Sequence, residues 1–245
     1  MTSAFFALFA ALTAVAPPGT PDAAALLRDS DRARGGLAEG VSWTLTVEST
    51  EEGTSTRRTM DVRARNTDAL AETTAPPRKK GEVILFNDRN LWFLKPGLRR
   101  PVAISARQRL QGEASNGDAA STNYARDYTG TVVGDEIVDG EPVWKLDLVA
   151  RSKDVTYDRI RYWISKRRRL GVKAEFLTVG GDLFKTATFE YGNRVRIPGG
   201  EEIEFVSKME IRDAMGAGGT TVLTYESPRA ETHAPSTFNV NNVAR

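Results

Sequence analysis

The dominant pattern along the chain is an alternation of apolar and polar residues with period two. Val41, Trp43, Leu45 and Val47 alternate with Ser42, Thr44 and Thr46, and Met60, Val62 and Ala64 alternate with Asp61, Arg63 and Arg65. The pattern returns at Trp144, Leu146, Leu148 and Ala150, at Ile160, Tyr162 and Ile164, and at Val172, Ala174 and Phe176. Leu183, Ala187, Phe189 and Tyr191 share a face, as do Ile203, Phe205, Met209 and Ile211, and Leu223 and Tyr225 finish the set. Strands of this kind have one buried and one wet face. Gly, Asp and Asn cluster at 138–141, 179–182, 192–193 and 198–200, where they mark turns. The short spacings predict an antiparallel meander of about ten or eleven strands.

Helical signals are few. Residues 22–34 predict a helix, with Thr20 able to cap it, Pro21 at its first position and an apolar stripe at Ala23, Leu26, Leu27 and Ser30. Gly35-Gly36 ends it. In the middle of the chain, the apolar runs 83–86 and 91–94 flank a polar break of hairpin length. After Pro96-Gly97 the pattern changes: 107–113 and 118–126 read as two short helices, with Asp118 placed to N-cap the second. Strands resume at Tyr128. A helical flap inside a β chain implies a covered concave sheet. So many antiparallel strands must curl, and the apolar face is then closed by the sheet itself, by a second sheet or by helices. Helices this short favour an incompletely filled apolar trough over a fully packed core.

Composition narrows the class. The 245 residues are enough for one large domain, 40% are apolar, and 34 basic against 32 acidic residues leave a net charge of +2. That balance argues against a dedicated nucleic-acid binder. With no cysteine, there is no disulfide, no thiol nucleophile and no lipid-modified cysteine. Residues 4–16 are apolar and end in Ala14-Val15-Ala16, a signal-peptide pattern. We therefore expect a signal peptide over 1–16, or an anchor that stays attached, and a single domain over 17–245.

Catalytic chemistry finds little support. His233, the one histidine, sits in a loop-like stretch with no G-x-S-x-G elbow to serve, and reads as a surface residue. The pairs Glu51-Glu52, Asp135-Glu136 and Glu201-Glu202 fall in turns or at strand ends. No phosphate or dinucleotide loop is present. No enzyme activity, metal or cofactor is expected. The basic run Lys166, Arg167, Arg168 and Arg169 reads either as a solvated hairpin tip or as a docking patch for an anionic surface, with Arg78-Lys79-Lys80 and Arg99-Arg100 as weaker cases. Asp118 reads as a cap or as a group at the mouth of the trough.

The stretches LWFLKPGLRRPVAIS (91–105), QRLQGEASNGDAASTNYARDY (108–128) and YWISKRRRLGVKAEF (162–176) resemble the LolA-like outer membrane lipoprotein-sorting family, and the resemblance extends over roughly 26–238. It implies an unclosed β-barrel with a helical lid over an apolar cavity. It implies a periplasmic carrier that shields the acyl chains of a lipoprotein or lipid on the way to the outer membrane, with an inner-membrane exporter of the RND or ABC type and an outer-membrane acceptor as partners. The rival expectation is a lipid-sensing or exporter-accessory module of the RseB type. The alternation itself, not the resemblance, nominates the cavity wall: Trp43, Leu45, Met60, Trp144, Leu146, Leu148, Ile160, Tyr162, Phe176, Phe189 and Met209, with Leu110 from the flap. Ile84, Phe86, Trp92 and Leu94 join as candidates, although both faces are apolar there.

Overall fold

The computed structural model describes residues 21–87, 90–120, 123–216 and 218–243. The expected signal peptide over 1–16 and the proposed Thr20 cap lie outside the described residues. Helix α1 spans Ala23–Arg32. Its cap is Asp22, whose carboxylate accepts from the free first-turn amides of Ala24 and Ala25 at 3.0 and 3.2 Å. The helix stops just short of Gly35, which takes φ +113°. A Cβ there would stand 3.1 Å from the Trp43 ring, so glycine serves both the turn and the packing.

The sheet follows in two wings. The first holds β1 (Val41–Glu51), β2 (Thr54–Arg65), β3 (Asp68–Ala75), β4 (Val83–Asn87), β5 (Asn90–Leu94) and β6 (Val102–Ile104). An insertion then carries a small hairpin, β7 (Arg109–Gln111) and β8 (Ala114–Ser115), and two short helices, α2 (Asn116–Ala120) and α3 (Tyr124–Asp127). The second wing holds β9 (Tyr128–Val138), β10 (Glu141–Ala150), β11 (Arg159–Ser165), β12 (Gly171–Leu177) and β13 (Leu183–Glu190). A separate hairpin, β14 (Asn193–Arg196) and β15 (Glu202–Phe205), precedes β16 (Lys208–Asp213) and β17 (Thr220–Ala230), and α4 (Val240–Val243) comes last.

Thirteen strands form one antiparallel sheet in the order β6-β5-β4-β3-β2-β1-β17-β16-β13-β12-β11-β10-β9. β17 returns beside β1 and joins the wings. β6 and β9 end the order without pairing, so the barrel is unclosed. One apolar cluster takes residues from both wings, including Ile84, Leu146 and Tyr162, which requires the sheet to curl around it. The register puts the alternating residues opposite each other: Leu45 faces Met60 and Tyr225, Val47 faces Leu223, and Phe189 faces Met209.

Two expectations change. The strand count rises, partly because Ile203 and Phe205 belong to the separate hairpin while Met209 and Ile211 lie in the main sheet. Residues 107–113 form the β7–β8 hairpin and not a helix. Its turn glycine, Gly112, sits at φ +52° against Ser49 and Thr221, and the Gln111 side chain donates to the Val47 and Thr56 carbonyls. Contacts to the sheet therefore override local helix preference.

Past β17 the chain crosses the convex face. Phe238 is fully buried there with Leu70, Val83, Leu85 and Leu94. His233 is consequently not a surface residue. It is 6% exposed, Ser42 Oγ lies 3.0 Å from its Nε2, and its ring meets Phe238 edge-on.

Candidate functional site

The concave face is large-residue and apolar. Trp43, Leu45, Met60, Ile84, Phe86, Leu146, Leu148, Ile160, Tyr162, Phe176, Phe189 and Met209 belong to one buried cluster, with Leu110 and Trp144 partly buried against it. Trp92 and Leu94 do not. They pack on the convex side with Leu85 and the C-terminal segment, because side chains alternate across a strand and Leu91 and Phe93 take the concave positions of β5.

What covers this face is small. α1 contributes Leu26 and Leu27, both essentially fully buried. The insertion contributes Ala106, Ala114, Ala119 and Tyr124, with Leu110 and Ala125 in part. Tyr124 stands edge-on to Tyr128 and Tyr162 at 5.3 and 5.2 Å. The trough is therefore filled, against the expectation of an incompletely filled one. The two cavities lying along this cover, one beside Trp43 and Asp118 and one beside Phe86 and Val155, each have room for about one water (≈ 20 Å³).

The cover is held at a few polar points, which the strand pattern did not reveal. Asp31 on α1 is 4% exposed, and its carboxylate accepts from the Tyr124 and Ala125 amides at 3.0 and 2.8 Å. Burial pushes this carboxyl up to about 7, opposed by those two amides and by Arg34. Asp118, in the first turn of α2, accepts from the Ser115 amide and the Tyr157 hydroxyl, each at 2.8 Å. It is therefore not the N-cap. It reaches back from the third helical position to the amide of the residue before the helix, half of a capping box. Burial raises its carboxyl, too. Ser30 Oγ and Tyr162 Oη lie 2.7 Å apart. The Arg34 guanidinium lies 4.4 Å from the Phe189 ring centre and 5.2 Å from that of Tyr124. Asp31 and Arg34 were readable in principle, since they continue the buried stripe of α1 from Leu27 and Ser30 at helical spacing. The buried Trp43 indole N–H has no hydrogen-bond partner among the described residues.

The rim is polar. A cavity of about 520 Å³ opens at one end of the sheet between the β1–β2 hairpin and the β7–β8 hairpin, lined by Glu51, Thr56, Arg109 and Glu113. The run 166–169 is largely neutralised. Lys166 pairs with Asp135 at 2.6 Å, Arg168 grips Glu141 with two nitrogens, and Arg169 pairs with Asp29. Among the described residues no three acidic or histidine side chains gather as a metal site, and no helix is long and apolar enough to cross a membrane.

A family model described as "Uncharacterized protein"-like matches residues 65–245. No curated protein matches the chain. Among solved structures, a LolA superfamily protein from Nitrosomonas europaea is similar with a TM-score of 0.80 and 24% identity, over 91% of this chain and 99% of that one. A domain named for outer membrane lipoprotein sorting, from Vibrio parahaemolyticus, follows with a TM-score of 0.76 and 21% identity, over 91% and 98%. A DUF1329 family protein from Desulfovibrio piger has a TM-score of 0.73 and 17% identity, over 90% and 97%. The likeness at these identities is one of fold. The chain thus belongs to the family whose model spans 65–245, and it carries the LolA-superfamily fold.

Proposed function

We propose that this chain is a carrier that shields the acyl chains of a lipoprotein or lipid in its apolar trough, working in the periplasm on the way to the outer membrane. The reading takes 1–16 as a signal peptide and 17–245 as one domain. It needs no catalytic step.

One observation carries it. Beside Leu26 and Leu27 of α1, the large concave side chains are covered by an insertion that, as a plug, offers mostly alanines, with Tyr124 and a partly buried Leu110. An alanine methyl contributes at most about 0.8 kcal/mol on burial, comparable to a single CH₂. An acyl chain gains about 0.8 kcal/mol for every CH₂ it removes from water. A chain of ordinary length therefore outbids the plug, even after the plug's hydrogen bonds are exchanged at about 1 kcal/mol each. Closed at rest and displaced by cargo is the behaviour such an inventory supports. The Trp43 indole N–H would find its acceptor in an ester or amide carbonyl of the cargo.

Native mass spectrometry on protein purified from its exported compartment tests the reading, alongside uptake of a fluorescent fatty acid. The expected result is about one acylated molecule per chain, with uptake increased in Asp118→Ala. A ligand-free spectrum together with no uptake by either protein would sink the carrier reading.

A further inference from the structure

Three of the four cations of the run 166–169 are held in ion pairs, whereas another surface gathers cations that form no ion pair among the described residues. The β3–β4 loop carries Arg78, Lys79 and Lys80, the first two in a 3-10 turn, Pro77–Lys79. The β5–β6 loop carries Lys95, Arg99 and Arg100. The loops abut, since a Cβ on Gly81 would stand 3.0 Å from the Pro96 ring. All six cations are exposed or half-exposed, and none joins an ion pair among the described residues. The acid within these loops, Glu82, is turned inward onto the buried guanidinium of Arg58 at 3.2 Å. Burial and Arg58, with a smaller part from Arg78, lower the Lys79 ammonium below its usual range against the opposing pull of Glu82.

An apolar element sits among these charges. Leu98, at the tip between Pro96-Gly97 and Arg99-Arg100, is 47% exposed, as is Val102 at the start of β6. The surface is a pair of loop tips, and none of the cavities described above reaches it. A cleft would suit an acidic peptide. A convex tip with one protruding leucine ringed by cations suits a flat anionic layer with a hydrocarbon interior.

We infer that the β3–β4 and β5–β6 loops form a docking surface for an anionic lipid bilayer, with the six cations on the headgroups and Leu98 inserted between them. The strand register places these loops at the same end of the sheet as the β1–β2 hairpin and the polar opening beside the β7–β8 hairpin. Docking therefore turns that opening toward the membrane. The surface is independent of the cargo reading, because it requires no filled trough.

The test is co-sedimentation of the full chain with vesicles of phosphatidylglycerol and phosphatidylcholine in equal parts, against vesicles of phosphatidylcholine alone. Arg99→Gln/Arg100→Gln and Lys79→Gln/Lys80→Gln should each weaken partitioning about twentyfold, since one cation near anionic lipid is worth about a fivefold change. Leu98→Ser should weaken it several-fold with unchanged salt dependence. Arg194→Gln/Arg196→Gln removes the same charge from β14, where both arginines pair with acids, and should leave partitioning as it was. Circular dichroism keeps folding in view, and fatty-acid uptake by the loop variants separates this surface from the trough. Absence of binding to the anionic vesicles, equal binding to neutral ones, or an equal loss in the β14 control would each overturn the assignment.

Discussion

Asp31 shows how one residue couples the sheet's cover to acidity. Its carboxyl is held at about 7 in the fold, chiefly by burial, against 3.8 for the free group. Between these values the folded state holds a proton that the unfolded state has lost. Stability therefore falls as pH rises from about 4 to about 7, by an amount on the order of 4 kcal/mol for Asp31 alone. Asp118 acts in the same direction. His233 acts against it, since burial lowers its ring below 6.5 and the unfolded state takes up the proton first on acidification. The charged groups around Asp31 are Arg34, just past the end of its own helix, and Asp127 on α3, one favouring its charged form and the other opposing it. We expect thermal melts of the wild type and of Asp31→Asn, run from pH 4.5 to pH 8, to diverge in the mutant's favour up to about pH 7 and to level off above it. A constant difference across that range would show that Asp31 does not titrate within it. Asp31 lies on the face shared with Leu27, but the apolar stripe of the helix, Ala23, Leu26, Leu27 and Ser30, does not by itself single out a carboxylate. Only the two amides of α3 turn it into the centre of a contact.

The covering elements were the least legible part of the chain, for a physical reason. Strands such as β2 declare themselves because Met60, Val62 and Ala64 meet the core while Asp61, Arg63 and Arg65 between and beyond them stay exposed or half-exposed. Residues 107–113 contain Arg107, Gln108, Arg109, Leu110 and Gln111, good helix formers that a sheet can nevertheless recruit through backbone contacts. Their hairpin depends on Gly112, whose left-handed backbone and close approach to Ser49 and Thr221 admit no side chain. β4 and β5 were ambiguous because the C-terminal segment buries the convex side as well, so alternation vanishes there. Two predictions follow from the way the cover is held. Gly112→Ala should expel the β7–β8 hairpin from its seat, raising amide exchange at 109–115 while the sheet strands stay protected; unchanged exchange would mean the hairpin is not seated through that glycine. Asp118→Ala leaves the Tyr157 hydroxyl and the Ser115 amide buried without their acceptor, and should cost about 3 kcal/mol in denaturant unfolding. A cost under about 1 kcal/mol would place water in the role now assigned to the carboxylate.

At the scale of the molecule, the sheet and its cover have different strengths, and that difference is the device. The strands interlock by hydrogen bonds along thirteen members. The insertion is fastened at points: Asp31 to α3, Asp118 to Tyr157, and Arg107 to Asp158 in the β10–β11 loop through two bonds of 2.8 and 2.7 Å. Each such fastening contributes on the order of 1 kcal/mol net, and the Arg107–Asp158 pair, about one-third exposed, contributes at the lower end. Loss of one fastening therefore weakens the cover without unfolding the sheet, as the proposed carrier reading requires. Loading with a fatty acid should deprotect 105–127 in hydrogen exchange, leave β1, β2 and β10–β13 protected, and quench the contact between the Tyr124 ring and its neighbours Tyr128 and Tyr162. Arg107→Gln should speed loading several-fold with a small change in melting temperature, because it frees one end of the insertion while leaving the trough intact. If loading instead protects 105–127 further, or deprotects both wings alike, the cover is not a displaceable plug, and the proposed carrier reading would need a route that opens the sheet itself.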